Sequence, residues 1–177
     1  MKSLVLFAHG KESGPWGSKI SYLSTIAQRM GAQIISPDYS DLTSPDARVA
    51  QLLSLDLPLH DELVLVGSSM GAYVSAVASQ PLKPAGLFLL APAFYLPGYS
   101  NQNPVPYADH VAIVHGWSDD VIPPDHSFRF SKQHGCKLHF LPGDHRLTDA
   151  LQDIGVLFED FLARELGWDN ARESHTP

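Results

Sequence analysis

The sequence is short of cysteine, of long apolar runs and of positive charge. Its single cysteine, Cys136, cannot form a disulfide within the chain or build a multi-thiolate metal site, which suits a reducing compartment and sets the expectation of a cytoplasmic protein. No uninterrupted apolar run reaches the roughly 18 residues that a membrane helix needs. Lys and Arg number 12 against 19 Asp and Glu, a net charge of −7 with histidines neutral. Nucleic-acid backbones and anionic membrane surfaces reward a concentrated positive face, so neither is expected as a partner. Nine histidines invite a metal reading, yet they form no HExxH or other compact ligand pair. Gly10-Lys11-Glu12-Ser13 lacks the upstream glycine and the Lys-Ser/Thr pair of a phosphate loop. No metal and no cofactor are expected.

What is present fits one ordinary domain. A chain of 177 residues, 44% of them hydrophobic, can bury roughly 68–70% of its unfolded surface without disulfide or metal. Residues 1–168 read as that domain and 169–177 as a flexible, solvated tail. Met1 to Ala8 imitates a signal peptide, but its apolar run is too short and ends in His9-Gly10, so it reads as a first core strand. Short apolar runs then alternate with helical periodicity throughout. The strand candidates are Leu4–Ala8, Gln33–Ser36, Leu63–Gly67, Gly86–Leu90, Val111–His115 and Leu138–Leu141. Most are continuously apolar, as parallel strands covered on both faces should be. Between them, a helix over Gly17–Met30 ends at Gly31, and Ser44-Pro45-Asp46 supplies an N-cap, a first-turn proline and an early acid. Leu147, Leu151, Ile154, Phe158, Phe161 and Leu162 mark one apolar stripe of a last helix closed by Gly167. Ala91–Asp109 is the one long irregular connection.

The chemistry lies at strand ends. Gly67-Ser68-Ser69-Met70-Gly71 places G-x-S-x-G between a buried strand and a small-residue helix, the context of a nucleophile elbow. The glycines are needed because a tight strand-to-helix turn leaves no room for side chains beside the serine. A serine needs a base and the base an orienting carboxylate. Asp119 and Asp120 follow one later strand, His145 another, at the sheet edge where ligands bind in parallel sheets. His139 is mid-strand, and His115 beside Gly116 suits support of the acid loop, so His145 is the candidate base. Either aspartate could supply the acid, the other capping its turn. Cys136 reads as a small buried residue without a catalytic partner. Trp16, Phe94, Tyr95 and Trp117 lie in loops expected on the site's side and are candidate substrate-binding residues, although packing alone would also explain each.

These motifs, with His9-Gly10 after the first strand, the run His115-Gly116-Trp117-Ser118-Asp119-Asp120-Val121-Ile122-Pro123, and Gly143-Asp144-His145, give the chain its resemblance. It resembles the small α/β-hydrolases, close to the compact bacterial serine hydrolases described as esterases or thioesterases. The resemblance implies a minimal α/β-hydrolase fold: a parallel sheet of six strands, helices on both faces and no cap domain. It implies Ser69 as nucleophile, His145 as base, Asp119 rather than Asp120 as acid, and the amides of Met70 and Lys11 as the oxyanion hole. The implied substrate is a small-molecule ester or thioester, or the acyl group of a larger molecule reached through an open cleft. Two alternatives keep the same residues: a binding protein on this scaffold, and acyl transfer to an acceptor other than water.

Overall fold

A computed structural model describes residues 1–168; the expected tail, 169–177, lies outside the described residues. Six strands form one sheet: β1 (Ser3–Ala8), β2 (Gln33–Ile35), β3 (Glu62–Ser68), β4 (Gly86–Leu90), β5 (His110–Gly116) and β6 (Lys137–Leu141). Their order is β2-β1-β3-β4-β5-β6 and every pairing is parallel. The helices are α1 (Ser18–Arg29), α2 (Pro45–Leu53), α3 (Met70–Leu82), α4 (Pro124–His134) and α5 (Leu151–Asp160). This is the minimal α/β-hydrolase architecture expected from the sequence, with no cap among the described residues.

Strand alternation builds two cores. Val5, Phe7, Val64, Val66 and Phe88 point to one face, where Leu23 and Ile26 of α1 and Ile154 and Phe158 of α5 cover them. Leu4, Leu6, Leu63, Leu65 and Leu89 point to the other, under Leu52 of α2, Tyr73 of α3 and Phe130 of α4. Burying both faces is what made the strands read as continuous apolar runs. α2 starts as its sequence predicts, with the Ser44 hydroxyl accepting from the Ala47 amide and Pro45 at the first position.

The last helix departs from its expected form. Leu147 is buried but lies outside it, at φ 57°, because the Asp144 carboxylate accepts from the Arg146 and Leu147 amides and turns the chain there. A 3-10 turn (Thr148–Ala150) then leads into α5, and a π-helical turn (Phe161–Glu165) ends it. The wider turn changes the rotation per residue, and the adjacent Phe161 and Leu162 are both buried. Ala91–Asp109 carries no helix or strand, as expected. It is strapped to α3: the Asn101 amide donates to the Tyr73 hydroxyl, the Tyr107 amide to the Ser79 hydroxyl, and the Gln80 side chain to the Val105 carbonyl. No helix among the described residues is long and apolar enough to cross a membrane.

Candidate active site

Because all six strands run the same way, the loops after β1, β3, β5 and β6 emerge at one edge of the sheet. β3 delivers Ser69 there on a strained turn, at φ 55° and ψ −117°, as the N-cap of α3. Its amide donates to the Leu90 carbonyl, while its own carbonyl accepts from the Ala72 and Ala93 amides. The turn closes only without neighbouring side chains. A Cβ on Gly71 would lie 1.9 Å from the Ala8 carbonyl oxygen, and one on Gly67 would lie 2.4 Å from that of Gly71.

β6 delivers His145 and β5 delivers Asp119. His145 Nε2 lies 3.0 Å from Ser69 Oγ, and His145 Nδ1 lies 2.8 Å from Asp119 Oδ2. A carboxylate only accepts, so the ring proton sits on Nδ1 and Nε2 is left to accept the serine hydroxyl. Asp119 accepts further from the Val121 and Ile122 amides at Oδ1 (2.9 and 2.8 Å) and from His115 Nε2 at Oδ2 (2.9 Å). Burial works against its ionisation, but the Ile122 amide, His145 and the Val121 amide outweigh it and hold its pKa below the usual carboxylate value. Asp120 is exposed and belongs to no part of this chain of bonds. His115 is fully buried, accepts from the Ser127 hydroxyl at Nδ1 and is kept neutral by its burial, against the pull of Asp119. It holds the loop of Asp119 through Asp119 Oδ2 and the Ile122 carbonyl; Ser127, inside α4, carried no signal in the sequence.

Opposite Ser69, the loop after β1 brings its backbone close: a Cβ on Gly10 would meet Ser69 Cβ at 3.5 Å. The Lys11 amide follows this glycine, and the Met70 amide opens α3, where unpaired helix N–H groups favour negative charge. Lys19 of α1 donates from Nζ to the Arg146 carbonyl at 2.9 Å and ties the loop of His145 down. Its burial lowers its pKa, against the attraction of Asp144 and Asp119.

The four candidate substrate-binding aromatics divide. Trp16 and Trp117 are exposed, Trp117 stacked on Phe140 with ring centroids 4.2 Å apart. Phe94 departs from the expectation: it is fully buried and stacked on Phe130 at 4.0 Å, so it packs the core beneath α4 instead of lining a cleft. Tyr95 is half-buried under the Arg129 guanidinium and bonded to Asn103. Two surface cavities, of about 490 and 340 Å³, lie along β6 and α5 and at the opposite edge near His60 and Lys83, away from Ser69. Among the described residues no group of three or more His, Cys, Asp or Glu could hold a metal ion.

No family model matches the sequence, and no curated protein does. Solved structures do. A proposed hydrolase of the α/β superfamily from Xanthomonas campestris pv. campestris superposes with a TM-score of 0.80 at 26% identity, over 92% of this chain and 98% of that one. Est1E from Butyrivibrio proteoclasticus gives 0.81 at 18% identity, over 94% and 89%. A lid-less α/β serine hydrolase from Xanthomonas campestris gives 0.70 at 20% identity, over 99% and 84%. With its all-parallel sheet and no cap among the described residues, the chain has the compact α/β-hydrolase fold of these structures. The first of these is itself a proposed hydrolase and the third a serine hydrolase.

Proposed function

We propose that the protein is a serine hydrolase of carboxylic esters or thioesters that works through an acyl-enzyme. The observation that carries the reading is the continuous chain of hydrogen bonds Ser69–His145–Asp119 at the elbow. In the first step Ser69 Oγ attacks the acyl carbon while its proton passes to His145 Nε2. Asp119 holds the imidazole in the required tautomer and stabilises the imidazolium. The oxyanion takes hydrogen bonds from the Met70 and Lys11 amides, each worth about 2.7–4 kcal/mol in comparable sites. His145 then protonates the departing alcohol or thiol. Water repeats the sequence at the acyl-enzyme, returning the serine and releasing the acid. The exposed Trp16 and Trp117 suit a substrate that arrives from open solvent, either a small ester or an acyl group on a larger molecule.

A fluorophosphonate probe read by intact mass is expected to leave one adduct on the wild type and none on Ser69→Ala. Hydrolysis of p-nitrophenyl esters is expected to be lost in the same variant. A folded wild type that takes up no probe would shift the reading to a binding scaffold.

A further inference from the structure

Arg48, on α2, is a charged side chain that the mechanism above leaves unused. It is 1% exposed, yet its guanidinium is held by backbone oxygens. Nε donates to the Leu42 carbonyl at 2.8 Å, and Nη1 forks to the carbonyls of His9 at 3.0 Å and Gly10 at 3.3 Å. Burying a guanidinium is costly, so its partners are the place to seek an effect. The Gly10 carbonyl belongs to the same peptide unit as the Lys11 N–H. It also accepts the Nδ1–H of His9 at 2.7 Å, while His9 Nε2 accepts from the Tyr39 amide at 2.9 Å and so fixes the ring. Two donors on one carbonyl, one of them cationic, draw electron density across the amide and strengthen the N–H at its other end.

We propose that Arg48 is a positioning residue for the reaction: it fixes and polarises the Gly10–Lys11 peptide so that the Lys11 amide binds the oxyanion more strongly than an ordinary amide. The inference rests on the serine-hydrolase reading, with Lys11 as an oxyanion donor. Since the oxyanion exists only in the transition state and the intermediate, the effect falls on kcat and spares KM.

The test uses the full chain, p-nitrophenyl acetate as substrate and selective 15N-lysine labelling to follow the Lys11 amide. Arg48→Met keeps the length and the apolar stem. It is expected to lower kcat about 10-fold, short of the ~10²–10³ for losing a donor outright, with KM within about twofold. The Lys11 15N resonance is expected to move upfield. Arg48→Lys, which keeps the charge and one reaching donor, is expected to fall between wild type and Arg48→Met, and it carries the test should Arg48→Met fail to fold. An unchanged kcat overturns the proposal. So does a lowered kcat with an unmoved Lys11 resonance, because the arginine would then serve only the fold. Failure of the underlying reading has another signature: a folded wild type with no probe adduct at Ser69 and no turnover, in which case this proposal falls with it.

Discussion

Asp119 and Asp120 are adjacent in sequence and opposite in surroundings. Asp119 is buried with both oxygens occupied, by two amides on one side and two imidazoles on the other. Asp120 faces solvent. Replacing Asp119 by Asn keeps the shape but puts an N–H donor within reach of His145 Nδ1, favouring the wrong tautomer. Asp119→Asn is therefore expected to reduce kcat for p-nitrophenyl acetate by about 10⁴-fold, and Asp120→Asn to stay within about twofold, as for other exposed changes. Equal losses in the two variants would remove Asp119 from its assigned role. The sequence made this site legible because its three residues each follow a strand, in the order Ser, Asp, His, and a parallel sheet must bring such ends together. It could not decide where loop side chains point. Phe94 turns into the core because the loop starting at Ala91 presses it on Phe130, a contact between segments far apart in sequence. Arg48 was hidden for the same reason: on an amphipathic helix an arginine reads as a solvated residue until the loop carrying His9 and Gly10 is folded over it.

Elements were easier to read than loops because burial on both sheet faces writes itself into continuous apolar runs. Observed strand ends fall within one residue of the sequence reading, and α1 matches to within a residue at each end. The last helix was the exception: the spacing of its apolar residues gave no warning that the Asp144 side chain would capture the Leu147 amide and delay the helix. The joint most sensitive to change is the one between β1, β3 and α3. There the backbone of α3 passes so close to β1 that Gly71 has no space for even one methyl group. The obstructing atom is a carbonyl within a paired strand, which cannot swing aside as a flexible side chain would. Gly71→Ala is expected to cost about 3 kcal/mol, at the upper end of overpacking effects, and to lower Tm by roughly 6–12 °C for a domain of this size. It is also expected to reduce Ser69 labelling, since the elbow must shift with the strand. Thermal denaturation beside probe labelling checks both, and a Tm within about 2 °C of wild type would mean that β1 yields more readily than its two flanking pairings suggest.

For the whole molecule, stability should follow pH through groups buried in one protonation state. His9 and His115 are fully buried, and burial lowers both pKa values below the ordinary 6.5. His9 cannot take up a second proton without turning Nε2 into a donor facing the Tyr39 amide. Below about pH 6.5 the unfolded chain binds protons that the folded chain refuses, so their contribution is present above that pH and is lost as pH falls through the folded values. Asp119, with its pKa lowered from 3.8, contributes in the same sense but only in more acid solution. The alkaline side has the opposite sign. Burial raises the Cys136 thiol from 9.0 to about 11, and it raises Tyr39 above its ordinary 10.0. There the unfolded chain loses protons that the folded chain keeps, so stability is complete below pH 9 and declines as pH rises past it. The urea midpoint is therefore expected to be level between about pH 7 and 8.5, to fall on both sides, and to fall less steeply on the alkaline side in Cys136→Ala. The acid limb begins two pH units or more above the range of the carboxylates, so it reports the histidines separately. A midpoint that stayed constant from pH 7.5 down to 5.5 would mean that His9 and His115 accept protons in place, and that the hydrogen bonds fixing the loop of Gly10 and the loop of Asp119 are looser than their geometry implies.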